Sequence, residues 1–171
     1  MILTGLEIDK NVNEWSIKIS DYKKENITTN SYDITLWNKL IKYKSSPLDP
    51  KKDNKYEIIE IWTDWFLLER GSFYLASSNE KIWSDKFVPI LHNKSWIARL
   101  WLFIHITSDL IDIWSYWNLT LQLFATLPVK IYPWIKIAQV SFWVPKWDIV
   151  LYKWKYMNSS GPQASKMFLD F

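Results

Sequence analysis

The side chains best suited to chemistry fall in one stretch of the chain. It runs Lys94-Ser95-Trp96-Ile97-Ala98-Arg99, then His105-Ile106-Thr107-Ser108-Asp109, then Asp112, with Gln122 ten residues further on. The sequence contains only two arginines, Arg70 and Arg99. Setting Arg99 in a strand-like apolar run costs desolvation unless an anion or a carboxylate answers it. Lys94, Ser95 and Arg99 together could grip a phosphate chain through charge-assisted hydrogen bonds. The competing arrangement is a core ion pair of Arg99 with Asp109 or Asp112. His105, set among apolar residues, reads more readily as a satisfied core histidine than as a catalyst. In Leu119–Ala125 the leucines at 119, 121 and 123 point one way and Thr120, Gln122 and Phe124 the other. Gln122 therefore faces a binding surface or a half-solvated one, not the leucine core.

Composition removes many alternatives. The chain has 171 residues and no Cys, which excludes disulfides, Cys-ligated zinc and a Cys nucleophile. Two His make a His-rich metal site implausible, and neither a Walker loop nor a Ser-His-Asp pattern is recognisable. The net charge of +3 comes without a run of like charges and does not argue for nucleic acid. The start, MILTGLEIDKNV, lacks the features of a signal peptide, and Arg99 and His105 interrupt the most apolar segment. The expectation is one soluble cytoplasmic domain over residues 1–171, with no membrane and no nucleic-acid partner.

The elements that must position these residues read as mostly β. Thr4 and Glu7 have the spacing of a capping box opening a helix over Gly5–Asn13. Strand-like runs follow at Ser16–Ile19, Ser31–Leu36, Tyr56–Ile61, Phe66–Leu68, Phe73–Ala76, Phe87–Leu91 and Ile97–Thr107. Others lie at Leu119–Ala125, Val129–Tyr132, Ile135–Trp143 and Ile149–Tyr152, while Thr35–Tyr43 reads as a second helix. Turn signals every 8–12 residues predict an all-β sandwich or barrel.

One pair of counts is abnormal. Glycine occurs 3 times and tryptophan 13 times. Together they make 16 residues, roughly the share that glycine plus a little tryptophan takes in ordinary proteins.

Several motifs in order give the chain a family likeness. Asn30-Ser31-Tyr32-Asp33, Val88-Pro89-Ile90-Leu91 and Lys94-Ser95-x-x-Ala98-Arg99-Leu100 are similar to segments of the dCTP deaminase family, within the dUTPase-like superfamily. So are His105-Ile106-Thr107-Ser108 with Ile111-Asp112, Tyr132-Pro133-x-x-x-Ile137-Ala138-Gln139, and the tail Lys155-Tyr156 … Gly161-Pro162-Gln163-Ala164-Ser165. The resemblance implies a distorted β-barrel of the β-clip type with a short N-terminal helix. It also implies a homotrimer with sites between subunits, dCTP or dUTP as the ligand, and Mg²⁺ carried by the triphosphate with no protein metal site.

By the same resemblance, Lys94, Ser95 and Arg99 hold phosphates, and Ser95 and Arg99 help place the attacking water. Asp112 lies near the deoxyribose. Thr107, Ser108, Gln122, Gln139 and Tyr152 line the nucleotide site, and Lys155 closes over the phosphates. The family's general base is a Glu ten residues after the Asp matching Asp112. Gln122 stands there, and an amide is no base at neutral pH. Three readings therefore stay open. One is hydrolytic deamination of dCTP to dUTP and ammonia, with Asp112 or Asp109 in an altered acid–base arrangement. The second is a pyrophosphatase giving dUMP or dCMP, and the third a nucleotide-binding protein without turnover.

The resemblance also places glycine where this chain has Trp37, Trp101, Trp114, Trp134 and Trp154, and extends to Trp15, Trp65, Trp83, Trp117 and Trp147. Pro133-Trp134 sits where a Pro-Gly turn calls for φ > 0. UGA codons read here as Trp but decoded as Gly in the source organism would produce this pattern. A Trp-rich chain repacked around its turns is the alternative. Trp143, inside a strand, reads as an authentic tryptophan.

Overall fold

The computed structural model describes residues 1–62, 64–153, 155–156 and 159–171. Helix α1 covers Gly5–Asn13, as the sequence predicts, and turns Ile8 fully into the core. Thr4 occupies the N-cap with extended backbone, yet its side chain makes no cap hydrogen bond. Glu7 instead lies along the helix, accepting from Asn11 Nδ2 at 3.3 Å, so the capping box does not close. Gly5 is required where it stands: a Cβ there would lie 2.0 Å from the Thr28 carbonyl oxygen.

The strands are β1 (Ile17–Ile19), β2 (Tyr32–Thr35), β3 (Lys39–Tyr43), β4 (Tyr56–Glu60), β5 (Phe66–Leu68) and β6 (Phe73–Ser84). Then come β7 (Val88–Asn93), the single-turn helix α2 (Ser95–Ala98), β8 (Leu102–Phe103), β9 (Trp117–Ala125), β10 (Val129–Ile131) and β11 (Lys136–Trp143). All pairings are antiparallel. The main sheet has the order β4-β3-β6-β9-β8 with β1 added to β6; a second is β2-β11-β7, and β10-β5 forms a ribbon. Ile34, Leu36, Leu40, Ala76, Leu121, Leu123, Ile137, Val140 and Phe142 fill the shared core. The mostly-β expectation holds, with open-edged sheets around that core. No helix among the described residues is long and apolar enough to cross a membrane.

Three segments differ from the sequence reading. Thr35–Tyr43 is not a helix: it ends β2, then forms β3, because Leu36 bridges Ser78 and Trp37 N–H bonds the Ser77 carbonyl. Ile97–Thr107 is not a long strand. Lys94 caps α2, the chain turns through Trp101 at φ +57°, and only Leu102–Phe103 pairs with β9. Ile149–Tyr152 is not a strand; Tyr152 N–H bonds the Ile113 carbonyl.

Strand β6 is far longer than predicted because the run Ser77-Ser78-Asn79-Glu80 is polar yet mostly buried. Its register on β9 shifts between Ser77 and Lys81, and Ser78 Oγ uses that irregularity to accept Leu119 N–H at 2.7 Å. Glu80 is 3% exposed and accepts the Thr35 N–H and hydroxyl, both at 2.8 Å. Burial pushes its carboxyl above the ordinary value, against the two Thr35 hydrogen bonds that favour the anion. A raised native pKa means that the fold holds this proton more tightly than the unfolded chain does. The associated stability is complete below the ordinary carboxylate pKa and lost as pH rises through the raised one. Glu80→Gln keeps the shape and both contacts, so its thermal midpoint should fall less than that of the parent as pH rises above the ordinary carboxylate range. Parallel midpoint–pH curves for the two proteins would contradict this.

Six non-glycine residues among those described take φ in the left-handed region: Trp15, Asp21, Trp101, Trp114, Trp134 and Trp147. The Pro133-Trp134 turn is one of them, at φ +67°. Trp37, Trp65, Trp83 and Trp117 are not, and Trp154 lies outside the described residues.

Candidate active site

Strand β9 divides its side chains as its alternation predicts: Leu119, Leu121 and Leu123 are buried, while Thr120 and Gln122 are half-exposed. These two open onto a cavity of about 580 Å³, whose lining includes Ser108, Asp112, Thr120, Gln122, Tyr152 and Gln163. The far wall is the segment after β8, fastened by Leu91 N–H to the Asp109 carbonyl at 2.9 Å and Ile111 N–H to the Pro89 carbonyl at 3.1 Å. The rim is the C-terminal tail. Gly161 N–H bonds Asn118 Oδ1, Gln163 N–H bonds Thr120 Oγ1 and Ser165 N–H bonds Tyr43 Oη.

Gln122 is held firmly. Its Oε1 accepts the N–H of Ile106 at 3.0 Å, the N–H of Thr107 at 3.1 Å and the Thr107 hydroxyl at 3.2 Å. Two backbone donors converging on one oxygen are the environment that keeps a carboxylate ionised. The position is thus built for an acceptor, and an amide oxygen fills it. Asp109 and Asp112 are the cavity's carboxylates among the described residues. Tyr152 stands beside Asp112, and its phenol is raised above the ordinary range by burial, with a smaller push from the Asp112 charge.

The phosphate-type residues sit elsewhere. Lys94, at the start of α2, is 3% exposed and its Nζ is paired with Asp33 Oδ1. Lys136 Nζ lies 3.7 Å from the other Asp33 oxygen. Gln139, beside Asp33 in the β2–β11 register, accepts from Ser31 Oγ at 2.9 Å and donates to the Asn93 carbonyl at 3.1 Å. Asp33 and Gln139 thereby tie down the turn that launches α2. On that helix Ser95 and its C-cap Arg99 are solvent-exposed. Arg99 forms no ion pair with Asp109, Asp112 or any other carboxylate among the described residues, so the core-pair arrangement is absent. It lies on a helix end, not in a strand, and the desolvation argument does not apply to it.

The structure therefore brings Ser108, Asp112, Gln122 and Tyr152 together around one cavity, with Thr107 bonded to Gln122. Lys94, Ser95, Arg99, Gln139 and Lys155 are not in its lining. Lys155 is paired with Asp170. His105 is half-buried, but its Nδ1 has no hydrogen-bond partner among the described residues, so it is not the satisfied core histidine expected. Asp33 is the site element that residue-type reasoning missed as a partner for Lys94. Its place in the Asn30–Asp33 motif was the available signal.

A mostly-β chain with a carboxylate- and amide-lined cavity, roofed by its own C-terminal tail, has relatives. A model of the dCTP deaminase-like family matches residues 2–144, and the chain belongs to that family. It is 41% identical over 174 residues to the "dCTP deaminase, dUMP-forming" of Clostridium botulinum (strain Eklund 17B / Type B), covering 100% of this chain and 99% of that protein. Proteins of the same name from Hathewaya histolytica and Cytophaga hutchinsonii are 38% and 35% identical over 172 residues, again across 100% of this chain and 99% of each of theirs. The fold resembles the crystal structure of 2′-deoxycytidine 5′-triphosphate deaminase from Agrobacterium tumefaciens. That match has a TM-score of 0.67 and 17% identity, over 84% of this chain and 48% of that one.

Proposed function

We propose that the chain hydrolyses dCTP at C4 of cytosine and also at the triphosphate, yielding dUMP, ammonia and diphosphate. The observation that carries this reading is the acceptor-shaped position at Gln122, on a strand facing Asp112 and Tyr152 across one cavity. The product differs from the dUTP expected on the sequence alone, because the relatives named above are dUMP-forming.

The chemistry would use two waters. One adds to C4, the C4–N4 bond breaks and ammonia leaves with a proton; the other cleaves the α–β phosphoanhydride. Gln122 orients the pyrimidine or the first water, and Asp112 or Asp109 takes the water's proton. Ser95 and Arg99, exposed on α2, hold phosphates of a nucleotide bound in the cavity of a neighbouring subunit of the cytoplasmic homotrimer that the family likeness implies. Lys94 supports that grip from below through Asp33. Mg²⁺ would arrive on the phosphates of the nucleotide.

A second reading is favoured by one observation: both polar atoms of the Gln122 amide are engaged, Nε2 donating to Thr107 Oγ1 at 3.1 Å. A binder without turnover would look the same. Incubation with Mg²⁺ and dCTP, and separately dUTP, followed by separation of nucleotides and detection of ammonia and diphosphate, decides between them. Ammonia, dUMP and diphosphate from dCTP are expected. Ammonia with dUTP alone would restrict the activity to deamination, diphosphate without ammonia would restrict it to the triphosphate, and unchanged nucleotides would leave binding only.

A further inference from the structure

We infer that the functional protein carries glycine at positions 15, 101, 114, 134 and 147, and that these codons are UGA triplets decoded as glycine in the source cell. The inference stands apart from the activity proposed above. Five of the six left-handed non-glycine residues are tryptophans, in a chain where tryptophan supplies 13 of 171 residues; chance would place fewer than one there. The bulky indole is among the side chains least suited to this region, where Asn and Asp are the usual exceptions and glycine the default.

Local motifs agree. Trp15 follows the C-cap Glu14 of α1, with Trp15 N–H on the Val12 carbonyl and Ser16 N–H on the Asn11 carbonyl. That is a Schellman closure with tryptophan at its glycine position. Asp112-Ile113-Trp114-Ser115 closes with Ser115 N–H on the Asp112 carbonyl, and Trp114 has φ +77° at the third place, where a type II turn takes glycine. In Tyr132-Pro133-Trp134-Ile135 proline precedes the left-handed residue in the same type of turn.

Burial does not compensate. All five indoles are exposed, from 39% at Trp114 to 83% at Trp147. The three glycines that remain are all at demanding positions: Gly71 and Gly161 have φ +71° and +73°, and Gly5 has no room for a Cβ. By contrast Trp62, Trp96 and Trp143, which the family likeness does not place at glycine positions, all have ordinary φ. Trp143 donates Nε1–H to Ser141 Oγ at 2.8 Å.

The test reads codons, mass and stability. UGA at all five positions, and a protein from the source cells lighter by at least five tryptophan-to-glycine differences, are expected. The quintuple variant W15G/W101G/W114G/W134G/W147G made in a standard host should melt higher than the chain as written, by about 10 °C or more if each site relieves about 1 kcal/mol. Trp143→Gly, the control, should melt lower. UGG at the five positions, or an intact mass with all 13 tryptophans, would overturn the inference whatever the variants do; a quintuple variant that melts lower would overturn its geometric basis.

Discussion

Gln122→Glu is expected to raise the rate of ammonia release from dCTP by about 10²–10⁴-fold, the usual worth of general-base assistance. The substitution exchanges an amide nitrogen for oxygen with almost no change in volume. The new carboxylate inherits N–H donors from Ile106 and Thr107, at 3.0 and 3.1 Å from the present Oε1. Two such donors favour the ionised form, so the group would be a base at neutral pH. Thr107, whose hydroxyl already donates to Oε1, loses only the hydrogen bond that Nε2 gives it. Single-turnover ammonia detection measures the change. A variant that binds dCTP as before with an unaltered rate would show that Asp112 or Asp109 already supplies all the base assistance the reaction can use.

Asp33→Asn is expected to destabilise the fold by about 3–5 kcal/mol, because it strands a buried ammonium without its counter-charge. Lys94 and Asp33 have side chains 4% and 6% exposed, so water cannot take over the solvation. Lys136, 39% exposed, can turn to solvent and loses little. Replacing the pair together, with Asp33→Leu and Lys94→Met, should recover most of the stability, since an apolar pair incurs no desolvation cost. Urea unfolding of the parent, single and double variants gives the cycle. A single-variant loss below about 1 kcal/mol would show that the pair behaves like an exposed one.

Much of the fold was legible because its signals are local. The helix Gly5–Asn13 and the strand Phe66–Leu68 match residue for residue, and the alternation of Leu119, Leu121 and Leu123 gave the correct inner face of β9. What misled was tertiary. The polar run Ser77-Ser78-Asn79-Glu80 inside β6 is legible as strand only once Thr35 and Asn118 are known to meet it. Arg99 looked strand-borne because the turn through Trp101 carries no glycine signal in the sequence as written. The cavity members Ser108, Asp112, Gln122 and Tyr152 followed from family likeness, since no spacing rule joins residues brought together by a tail crossing a sheet. The Asp33–Lys94 pair, 61 residues apart, was equally invisible to local pattern.

That tail is pegged to the sheet, not woven into it. Gly161, Gln163 and Ser165 each offer a backbone N–H to a side chain projecting from β9, β9 and β3 in turn. Lifting residues 161–165 would break no strand pairing and pull no core hydrophobe into water. The cavity's rim and the scaffold beneath it are therefore energetically separable: the opening can be remade while the three sheets keep their register.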